Sequence, residues 1–316
     1  MPPASTILLI RPSCFRYNPE TAKTNEFQNE IGAESEELVI RNAVLEFDRF
    51  AETLRAKSVD VRIIDDTDFP QKPDAIFPNN WVSFHSDGTV VLYPMCAVNR
   101  RSERRPDIVE SLRNDFRVEK VVDLSHFENE DRFLEGTGSI VFDHANKTAY
   151  ACISPRTDRE LFVQLSEDLG YRPMSFNAVD AKGRAIYHTN VMMCVGPGFA
   201  VVCLESIVDT QERAQVVQSL VAGGLEIVDI RFEQMNRFAG NMLAVSGDGG
   251  KVYLVLSTNA LDSSGPEQIA ALERHVELLP VSIPTIEKYG GGGARCMMAE
   301  IFLPKLQRND GPKAGA

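Results

Sequence analysis

The sequence lacks the features of several large protein classes. It has no run of about 18 uninterrupted apolar residues, so it predicts no membrane-spanning helix. The first eleven residues have no basic segment ahead of a short apolar run, which argues against a signal peptide. Basic residues are in deficit, with 33 Lys and Arg against 45 Asp and Glu and a net charge of −12. Nucleic acids and anionic membrane surfaces attract the opposite balance, so we expect neither as a partner.

Cysteine and histidine motifs are also absent. The six cysteines include no CxxC pair, and the five histidines show neither HxxxH nor HExxH spacing. A chain of 316 residues, 43% of them hydrophobic, can bury a full core without disulfides. This pattern therefore predicts reduced thiols in a cytoplasmic protein. The spacing gives no support for a metal site, and we expect neither a metal nor another cofactor.

The most informative feature present is a repeat along the chain. Apolar residues at three- and four-residue spacing predict five amphipathic helices, at 36–57, 103–114, 158–169, 211–221 and 266–279. A run typical of a β-strand follows each helix, at 59–64, 118–122, 171–176, 225–230 and 281–286. Thr157-x-x-Glu160 and Ser264-x-x-Glu267 fit capping boxes at the starts of the third and fifth helices.

Small, amide or charged residues then open the next strand of each unit. The openings are 58, 52, 51 and 54 residues apart when measured at Asn80, Gly138, Asn190, Asn241 and Arg295. Turn residues after four of them predict β-hairpins, so each unit reads strand, hairpin, strand, helix, strand. The fifth opening lies near the end of the sequence, and the N-terminal strand at 6–10 with the helix at 36–57 completes its unit.

This repeat predicts an α/β fold, a pseudo-fivefold propeller of five ββαβ blades that closes on itself as a ring. We expect a single domain over residues 1–304, closed by the N-terminal strand, and a flexible tail over residues 305–316. The alternative is a two-domain α/β protein whose elements happen to be evenly spaced, and chain length alone favours two domains.

Closure of the ring would bring the five openings together at one end of the central channel. Cys296 lies at the fifth opening after four consecutive glycines, a run that suits a backbone approaching another group closely. Arg295 beside the sulfur would favour its thiolate form. A thiol, an imidazole and a carboxylate at one place indicate nucleophilic catalysis. The alternative is a structural cysteine that follows a flexible linker.

Two further openings supply the imidazole and the carboxylate. His188 is the only histidine at an opening, which makes it a candidate general acid or base, although a lone histidine is more often structural. Glu135 directly precedes the second opening and has a solvated loop carboxylate as its alternative. Asn79 and Asn80 are candidate site amides, with an Asx turn as the alternative.

These residues give the chain a resemblance to the guanidine-modifying, or pentein, superfamily. That superfamily includes arginine deiminases, dimethylarginine dimethylaminohydrolases, amidinotransferases and succinylarginine dihydrolases. The resemblance covers nearly the whole chain through its repeat, and it implies a five-bladed α/β propeller. Locally it rests on six motifs in order, Phe77-Pro78-Asn79-Asn80, Glu135-Gly136-Thr137-Gly138, Ser154-Pro155-Arg156-Thr157, His188-Thr189-Asn190, Gly240-Asn241-Met242-Leu243 and Gly292-Gly293-Ala294-Arg295-Cys296-Met297.

Carried over position by position, the resemblance implies roles for single residues. Cys296 would attack the central carbon of a guanidinium or ureido group, with His188 as acid and base. Glu135 would bind substrate N–H groups and partner the histidine, and Asp74 would contact the substrate's α-amino group. The other expected substrate-binding residues are Arg156 and either Arg100 or Arg101 for the α-carboxylate, and the amides Asn79, Asn80, Asn190 and Asn241.

Two amides depart from the deiminase pattern. Deiminases carry an acidic residue where this chain has Asn80, and usually another where it has Asn190. Two carboxylates neutralise a guanidinium but would be costly unpaired charges beside a neutral urea, whereas an amide matches ureido N–H and C=O groups. The chain most resembles the citrulline-hydrolase branch. That branch implies hydrolysis of a citrulline-like amino acid through an S-carbamoyl intermediate, giving ornithine, ammonia and carbon dioxide.

Other functions stay open at this point. A deiminase or dimethylarginine hydrolase would act on a cationic guanidine, an amidinotransferase would require an amine acceptor, and some succinylarginine dihydrolases also carry amides here. A non-catalytic ring, as in the translation-initiation relative of the fold, would lack the catalytic residues and need a basic face for a ribosome. Cys296, His188, Glu135 and the net charge of −12 disfavour it. The oligomeric state is also open, with a homodimer as one option.

Overall fold

The computed structural model describes residues 1–30, 32 and 35–306. Its strands are β1 (Thr6–Arg11), β2 (Asp60–Asp65), β3 (Val82–Phe84), β4 (Thr89–Leu92), β5 (Lys120–Asp123), β6 (Val141–Asp143), β7 (Thr148–Cys152), β8 (Arg172–Phe176), β9 (Met193–Gly196), β10 (Phe199–Val202), β11 (Glu226–Asp229), β12 (Leu243–Ser246), β13 (Val252–Ser257), β14 (Glu277–Val281) and β15 (Ala299–Glu300). Its α-helices are α1 (Glu36–Arg55), α2 (Pro106–Leu112), α3 (Gly136–Ser139), α4 (Arg159–Asp168), α5 (Thr189–Met192), α6 (Thr210–Ala222), α7 (Phe232–Met235), α8 (Thr258–Ser263), α9 (Pro266–Glu273) and α10 (Pro284–Gly290).

The strands form five three-stranded sheets with one shared pattern. In β3-β4-β5, for example, β3 and β4 form an antiparallel hairpin, and β5 pairs parallel to β4 after α2. The sheets β6-β7-β8, β9-β10-β11 and β12-β13-β14 repeat it. The fifth sheet joins the two ends of the chain, because β15 pairs antiparallel to β1 and β2 pairs parallel to β1. The predicted pseudo-fivefold α/β propeller of ββαβ units is confirmed.

Each unit follows from local sequence chemistry, as α4 and β8 illustrate. The side chain of Asp158 caps the helix by accepting a hydrogen bond from the backbone N–H of Leu161 at 2.9 Å. The apolar face of α4 is buried through Leu161, Phe162 and Leu165, and β8 then adds to the sheet. The predicted capping box at Thr157 was misplaced by one residue, because the carboxylate of Asp158 caps the helix.

The fifth unit corrects the sequence prediction most. The helix expected at 266–279 ends at Glu273, and the strand expected at 281–286 lies earlier, as β14 ends at Val281 and residues 284–286 begin α10. Pro284 stands at the first position of α10, where its fixed φ favours a helix and its missing N–H costs nothing. The carboxylate of Glu46, from α1, accepts the backbone N–H groups of Thr285 and Ile286. Residue 264 is not a cap either, since the side chain of Gln268 accepts the N–H of Gly265.

The unit openings lie together at one end of their strands. The first strands of neighbouring units contact one another, β15 with β3, β6 with β9 and β9 with β12. Short helical turns precede three of them, at Pro78–Asn80, α3 and α5, and a further turn, Ala294–Met297, precedes β15. The turn at Pro78–Asn80 contacts both α3 and the turn at Ala294–Met297, and α3 contacts α5. The openings therefore lie close together at one end of the strands, as the predicted ring requires.

Two features bear on the ends of the chain and on membranes. In the predicted flexible tail, Lys305 pairs with Asp60 at 2.9 Å and the N–H of Leu306 donates to the backbone oxygen of Asp115. Residues 307–316 of that tail lie outside the described residues. Among the helices within 1–30, 32 and 35–306, none combines the length and apolar character that crossing a membrane requires.

Candidate active site

Cys296 lies in the turn Ala294–Met297, buried against two amides from other units. Its sulfur accepts a hydrogen bond from Nδ2 of Asn241 at 3.2 Å and a weaker contact from Nδ2 of Asn190 at 3.5 Å. The preceding glycines permit this approach, because a Cβ at residue 293 would lie 2.8 Å from Oδ1 of Asn241. At residue 292 it would lie 2.8 Å from the ring of Phe77. The glycine run therefore makes room for the site, as the sequence suggested.

The acidity of the Cys296 thiol differs from the sequence expectation. Burial raises its pKa above the usual value, although the hydrogen bond from Asn241 and the charge of Arg295 act in the opposite direction. The charge of Arg295 is also shared with the buried carboxylate of Glu300, 3.0 Å away. Arg295 favours the thiolate, as the sequence predicted, but desolvation outweighs that charge and the net shift of the pKa is upward.

His188 and Glu135 form a buried hydrogen-bonded pair. Nε2 of His188 donates to Oε2 of Glu135 at 2.8 Å, and the other oxygen of Glu135 accepts the backbone N–H of Cys96 at 2.9 Å. Burial lowers the pKa of His188, and Glu135 opposes this shift. Burial would raise the pKa of Glu135, but Arg156, His188 and Arg100 together hold it well below its usual range. The pair is thus an ionised carboxylate that orients a neutral imidazole, whose Nδ1 is the acceptor.

The three arginine candidates lie in different places. Arg100 is buried and donates to both oxygens of Glu103 at 2.9 and 2.8 Å, while its Nη1 donates to Oδ1 of Asn80 at 2.8 Å. Arg156 is also buried and contacts Glu135 at 3.4 Å. Arg101 points away, since its Nε donates to the backbone oxygen of Met95 and pairs with Glu128 at 3.3 Å.

An irregular segment, residues 18–28, covers these residues, and our sequence analysis did not predict it. The amide of Asn18 and the hydroxyl of Thr21 donate to Oδ2 of Asp74 at 2.7 and 3.0 Å. Arg156 donates to the backbone oxygen of Thr21 and to the hydroxyl of Thr24. The signal available in the sequence was the asparagine, threonine and glutamine content of the long connection between β1 and α1. It was a weak signal, because polar side chains also occur in ordinary surface loops, where they need no partner.

The site contains buried polar atoms that accept or donate no hydrogen bond. A small cavity beside two of these atoms measures about 20 Å³, room for about one water molecule. Asp74, Asn80, His188 and Cys296 line it, whereas Asn79, Asn190 and Asn241 do not. Within the described part of the chain, no three His, Cys, Asp or Glu side chains are grouped as metal ligands. The unpartnered site atoms are Oδ1 of Asp74, Nδ2 of Asn80, Oδ1 of Asn190, Oδ1 of Asn241 and both side-chain polar atoms of Asn79.

Comparison with known proteins agrees with this geometry. The family model described as "N,N dimethylarginine dimethylhydrolase, eukaryotic" matches residues 11–303, nearly the whole chain. The chain belongs to this family. It is thereby a member of the pentein superfamily, homologous to hydrolases that act on C–N bonds. No curated protein sequence matches it.

Solved structures share the fold at low sequence identity. The N-terminal domain of ArgZ, an arginine dihydrolase from cyanobacteria solved as a Cys→Ser mutant with bound substrate, has a TM-score of 0.72 at 17% identity and covers 95% of this chain and 99% of its own. A dimethylarginine dimethylaminohydrolase adduct with S-methyl-L-thiocitrulline has a TM-score of 0.65 at 15% identity, covering 94% and 100%. AgrE with ornithine and NAD⁺ has a TM-score of 0.72 at 16% identity; the match covers 96% of this chain and 40% of AgrE.

Proposed function

We propose that this family member hydrolyses the ureido group of a citrulline-like amino acid through a covalent adduct on Cys296. The observation that supports this proposal most directly is the orientation of the Asn80 amide. Arg100 has only N–H donors, so the amide must present Oδ1 to it, and Nδ2 is left without an acceptor in the cavity wall. A ureido oxygen accepts that N–H. A guanidinium has only donors and would leave Nδ2 buried and unpaired, which costs about 1–3 kcal/mol.

The other unpartnered atoms suit the remainder of such a substrate. Oδ1 of Asn190, beside the sulfur, is an acceptor for a ureido N–H. Oδ1 of Asp74 is a buried acceptor for the α-ammonium, and a cation there would offset the burial that raises the pKa of this carboxyl. The neutral amides around the reacting group suit a substrate side chain without charge. The carboxylate at the amino-acid end suits the charged α-ammonium group.

Binding requires residues 18–28 to move, because the cavity is too small for an amino acid. The contacts of Arg156 with Thr21 and Thr24 belong to that segment. When the segment withdraws, the guanidinium keeps Glu135 on one edge and gains free N–H groups for a carboxylate. Arg100 keeps its bidentate pair with Glu103, so we assign it to holding Asn80, and Arg156 to the substrate carboxylate.

The reaction then follows from the acid–base pair. His188 accepts the thiol proton of Cys296, and the thiolate adds to the ureido carbon. The C–N bond to the departing amine breaks as the imidazolium returns the proton to that nitrogen, leaving an S-carbamoyl cysteine and ornithine. Water, deprotonated by His188, displaces the thiolate and gives carbamate, which decomposes to ammonia and carbon dioxide. One citrulline and one water are consumed.

The rival is a hydrolase of a cationic guanidine. It is favoured by the description of the matching family, which names dimethylarginine, and by the arginine dihydrolase among the structural neighbours. The same residues would then remove a guanidino nitrogen first. An amidinotransferase would use the same adduct and transfer it to an amine instead of water.

One incubation separates these reactions. Purified protein is incubated overnight with citrulline or with arginine, and ornithine, citrulline and ammonia are separated by chromatography, with Cys296→Ala as the blank. The proposal predicts ornithine from citrulline and no product from arginine. Asn80→Asp, which places a carboxylate against the ureido oxygen, should lower kcat/KM for citrulline at least about tenfold. Citrulline released from arginine would contradict the proposal and establish a guanidine hydrolase.

A further inference from the structure

A second, larger cavity lies on the other side of the segment that covers the site. It measures about 850 Å³, within the range of small-molecule sites. We call it the outer groove, and we define it by the residues that the following argument uses, Phe27, Tyr187, Met235, Phe238, Asn259 and Glu287.

The covering segment alternates between the two cavities. Thr21, Asn25 and Gln28 are buried and line the catalytic cavity. Lys23 and Phe27, which fall between them in sequence, line the outer groove. The segment therefore forms a wall of both cavities, and Tyr187 also lines both.

Glu287 is a charge in the groove without a counter-ion. Its side chain comes from α10, the residue is 6% exposed, and it forms no ion pair within the described ranges. Oε2 accepts Nδ2 of Asn259 at 3.2 Å, while Oε1 accepts no hydrogen bond. Burial raises the pKa of Glu287 to about 7, with a smaller contribution from the carboxylate of Glu46, whereas the side chains of Ser257 and Asn259 and the charge of Arg237 act to lower it. An unpaired buried carboxylate of this kind favours a cation.

Several other charges of the groove are paired. Asp180 pairs with Arg184 at 2.7 Å, and Glu26 pairs with Arg184 and, at 3.7 Å, with Lys182. Oδ1 of Asn259 accepts Nε of Arg237, so only its amide nitrogen faces Glu287. Among the carboxylate oxygens that line the groove, Oε1 of Glu287 is the one that is buried without a hydrogen-bond partner in the described residues.

The opposite wall is aromatic. The ring of Phe27 lies 5.3 Å from that of Phe238 and 6.2 Å from that of Tyr187, measured between centroids. Phe27 remains partly exposed, so the rings present an apolar surface to the groove. Aromatic walls favour flat apolar groups, which pack edge-to-face or offset against them.

We propose that the outer groove is a binding site for a primary amine that carries an aromatic or similarly flat apolar body. The ammonium donates to Oε1 of Glu287, and the body packs against Phe27 and Phe238. An ammonium group has three donors and no acceptor, which matches a carboxylate oxygen that lacks a hydrogen bond. The proposal does not depend on the substrate assigned to Cys296.

The site is placed to act on the catalytic cavity. Helix α10, which carries Glu287, ends at carbonyl groups that hold the covering segment. Asn25 donates to the oxygen of Gly291 at 3.2 Å, and Gln28 to that of Gly290 at 2.9 Å. An occupant that packs on Phe27 therefore contacts the same segment that must move for substrate entry.

Calorimetric titration of the full chain with phenethylamine tests the proposal, with 2-phenylethanol as the uncharged probe. The amine should bind the wild-type protein at least about tenfold more tightly than the alcohol, as expected for a charge-assisted hydrogen bond. Glu287→Gln should remove that preference. Glu267→Gln, an exposed glutamate in the first turn of α9, is the matched control and should retain it. Asp74→Asn, at the carboxylate of the catalytic cavity, should also retain it.

The opposite results would overturn the proposal. Equal affinity for amine and alcohol, or binding of neither, would show that Glu287 attracts no cation. Loss of the preference in Asp74→Asn and not in Glu287→Gln would place the amine in the catalytic cavity. If Glu287→Gln does not fold, as judged by thermal unfolding, Phe27→Ala decides instead. It should weaken both probes at least about fivefold, and unchanged affinities would overturn the site.

Discussion

Buried or half-buried histidines occur at both ends of the first strands, in opposite settings. His188 precedes β9 at the end of the strands that carries the proposed site, which we call the catalytic end. It is hydrogen-bonded to the carboxylate of Glu135 and lies among polar atoms without partners. His85, at the far end of β3, contacts the hydroxyl of Ser83 at 2.8 Å, and His144, after β6, contacts the hydroxyl of Tyr171 at 2.6 Å. Burial lowers the pKa of all three imidazoles.

The contrast between the two ends shows which kind of observation indicates function. Burial and a shifted pKa are common to both ends and therefore distinguish nothing. The far end pairs its histidines with neutral hydroxyls, and none of their side-chain nitrogens is among the buried unpartnered atoms. The catalytic end leaves amide and carboxylate atoms unpaired around a thiol. Unsatisfied buried groups cost free energy, so their accumulation at one place indicates a ligand that satisfies them.

The sharpest test of this comparison removes the thiol. Cys296→Ala should lower kcat for citrulline by at least about 10⁴-fold, because no other group can form the adduct. Cys203→Ala is the matched control, since this thiol is equally buried but packs in a hydrophobic cluster. The control should keep kcat within about twofold and unfold at a lower temperature. Substantial turnover by Cys296→Ala in a chromatographic assay would show that the unpaired polar atoms around this thiol do not mark a catalytic site.

The histidines themselves give the next largest effect. His188→Asn should lower kcat by about 10²- to 10⁴-fold, the usual contribution of a general acid and base. His144→Asn should leave kcat within about twofold, because its partner is a hydroxyl at the other end of the sheet. Steady-state kinetics on both variants measure the contrast. Equal losses of kcat would mean that the two ends do not differ in function.

The histidines at the far end should affect the free energy of unfolding instead of kcat. Since burial lowers the pKa of His85 to about 4, the unfolded chain binds a proton below pH 6.5 that the folded protein does not. The free energy of unfolding therefore falls as the pH drops from about 6.5 towards 4, by up to about 1.4 kcal/mol per pH unit for this residue.

Urea unfolding at pH 7 and pH 5 measures this contribution. In His85→Gln the loss of stability between the two pH values should be about 2 kcal/mol smaller than in the wild type, because the unfolded state no longer gains that proton. If the loss of stability between pH 7 and pH 5 is the same in His85→Gln and in the wild type, His85 is protonated in the folded protein at pH 5. The far end would then hold a charged histidine.

The smallest effects concern the arginines. Arg156→Lys should raise KM for citrulline about tenfold while changing kcat less, because a lysine cannot bind a carboxylate through two parallel N–H groups. Arg101→Lys is the matched control and should change KM by less than about twofold, since Arg101 points to Glu128 and Met95. A large effect of Arg101→Lys would reopen the choice between Arg100 and Arg101.

Much of the architecture was predictable because it is local. Four hairpins, the helices α1, α4 and α6, and the strands β2, β5, β8 and β11 lie within two residues of their predicted places. The unit openings were predictable from spacing alone. The fifth unit was not, because α10 depends on a cap from Glu46, about 240 residues earlier.

The site divides in the same way. The residue types Cys296, His188 and Glu135 were identifiable from their positions in the repeat, and the structure places them together. The pair of Glu103 with Arg100 was missed, although a spacing of three residues was a signal for it. The orientation of the Asn80 amide was not predictable at all, because it depends on which atom of Asn80 the guanidinium reaches.

The fivefold repeat and the kinds of residue at its openings follow from the sequence alone, since hydrophobic periodicity, turn residues and spacing act over a few positions. How those residues behave depends on the tertiary structure. Burial raises the pKa of Cys296, and residues 18–28 form a wall of both the small cavity at Cys296 and the outer groove. Desolvation and hydrogen-bond pairing depend on groups distant in sequence, and these terms determine the chemistry.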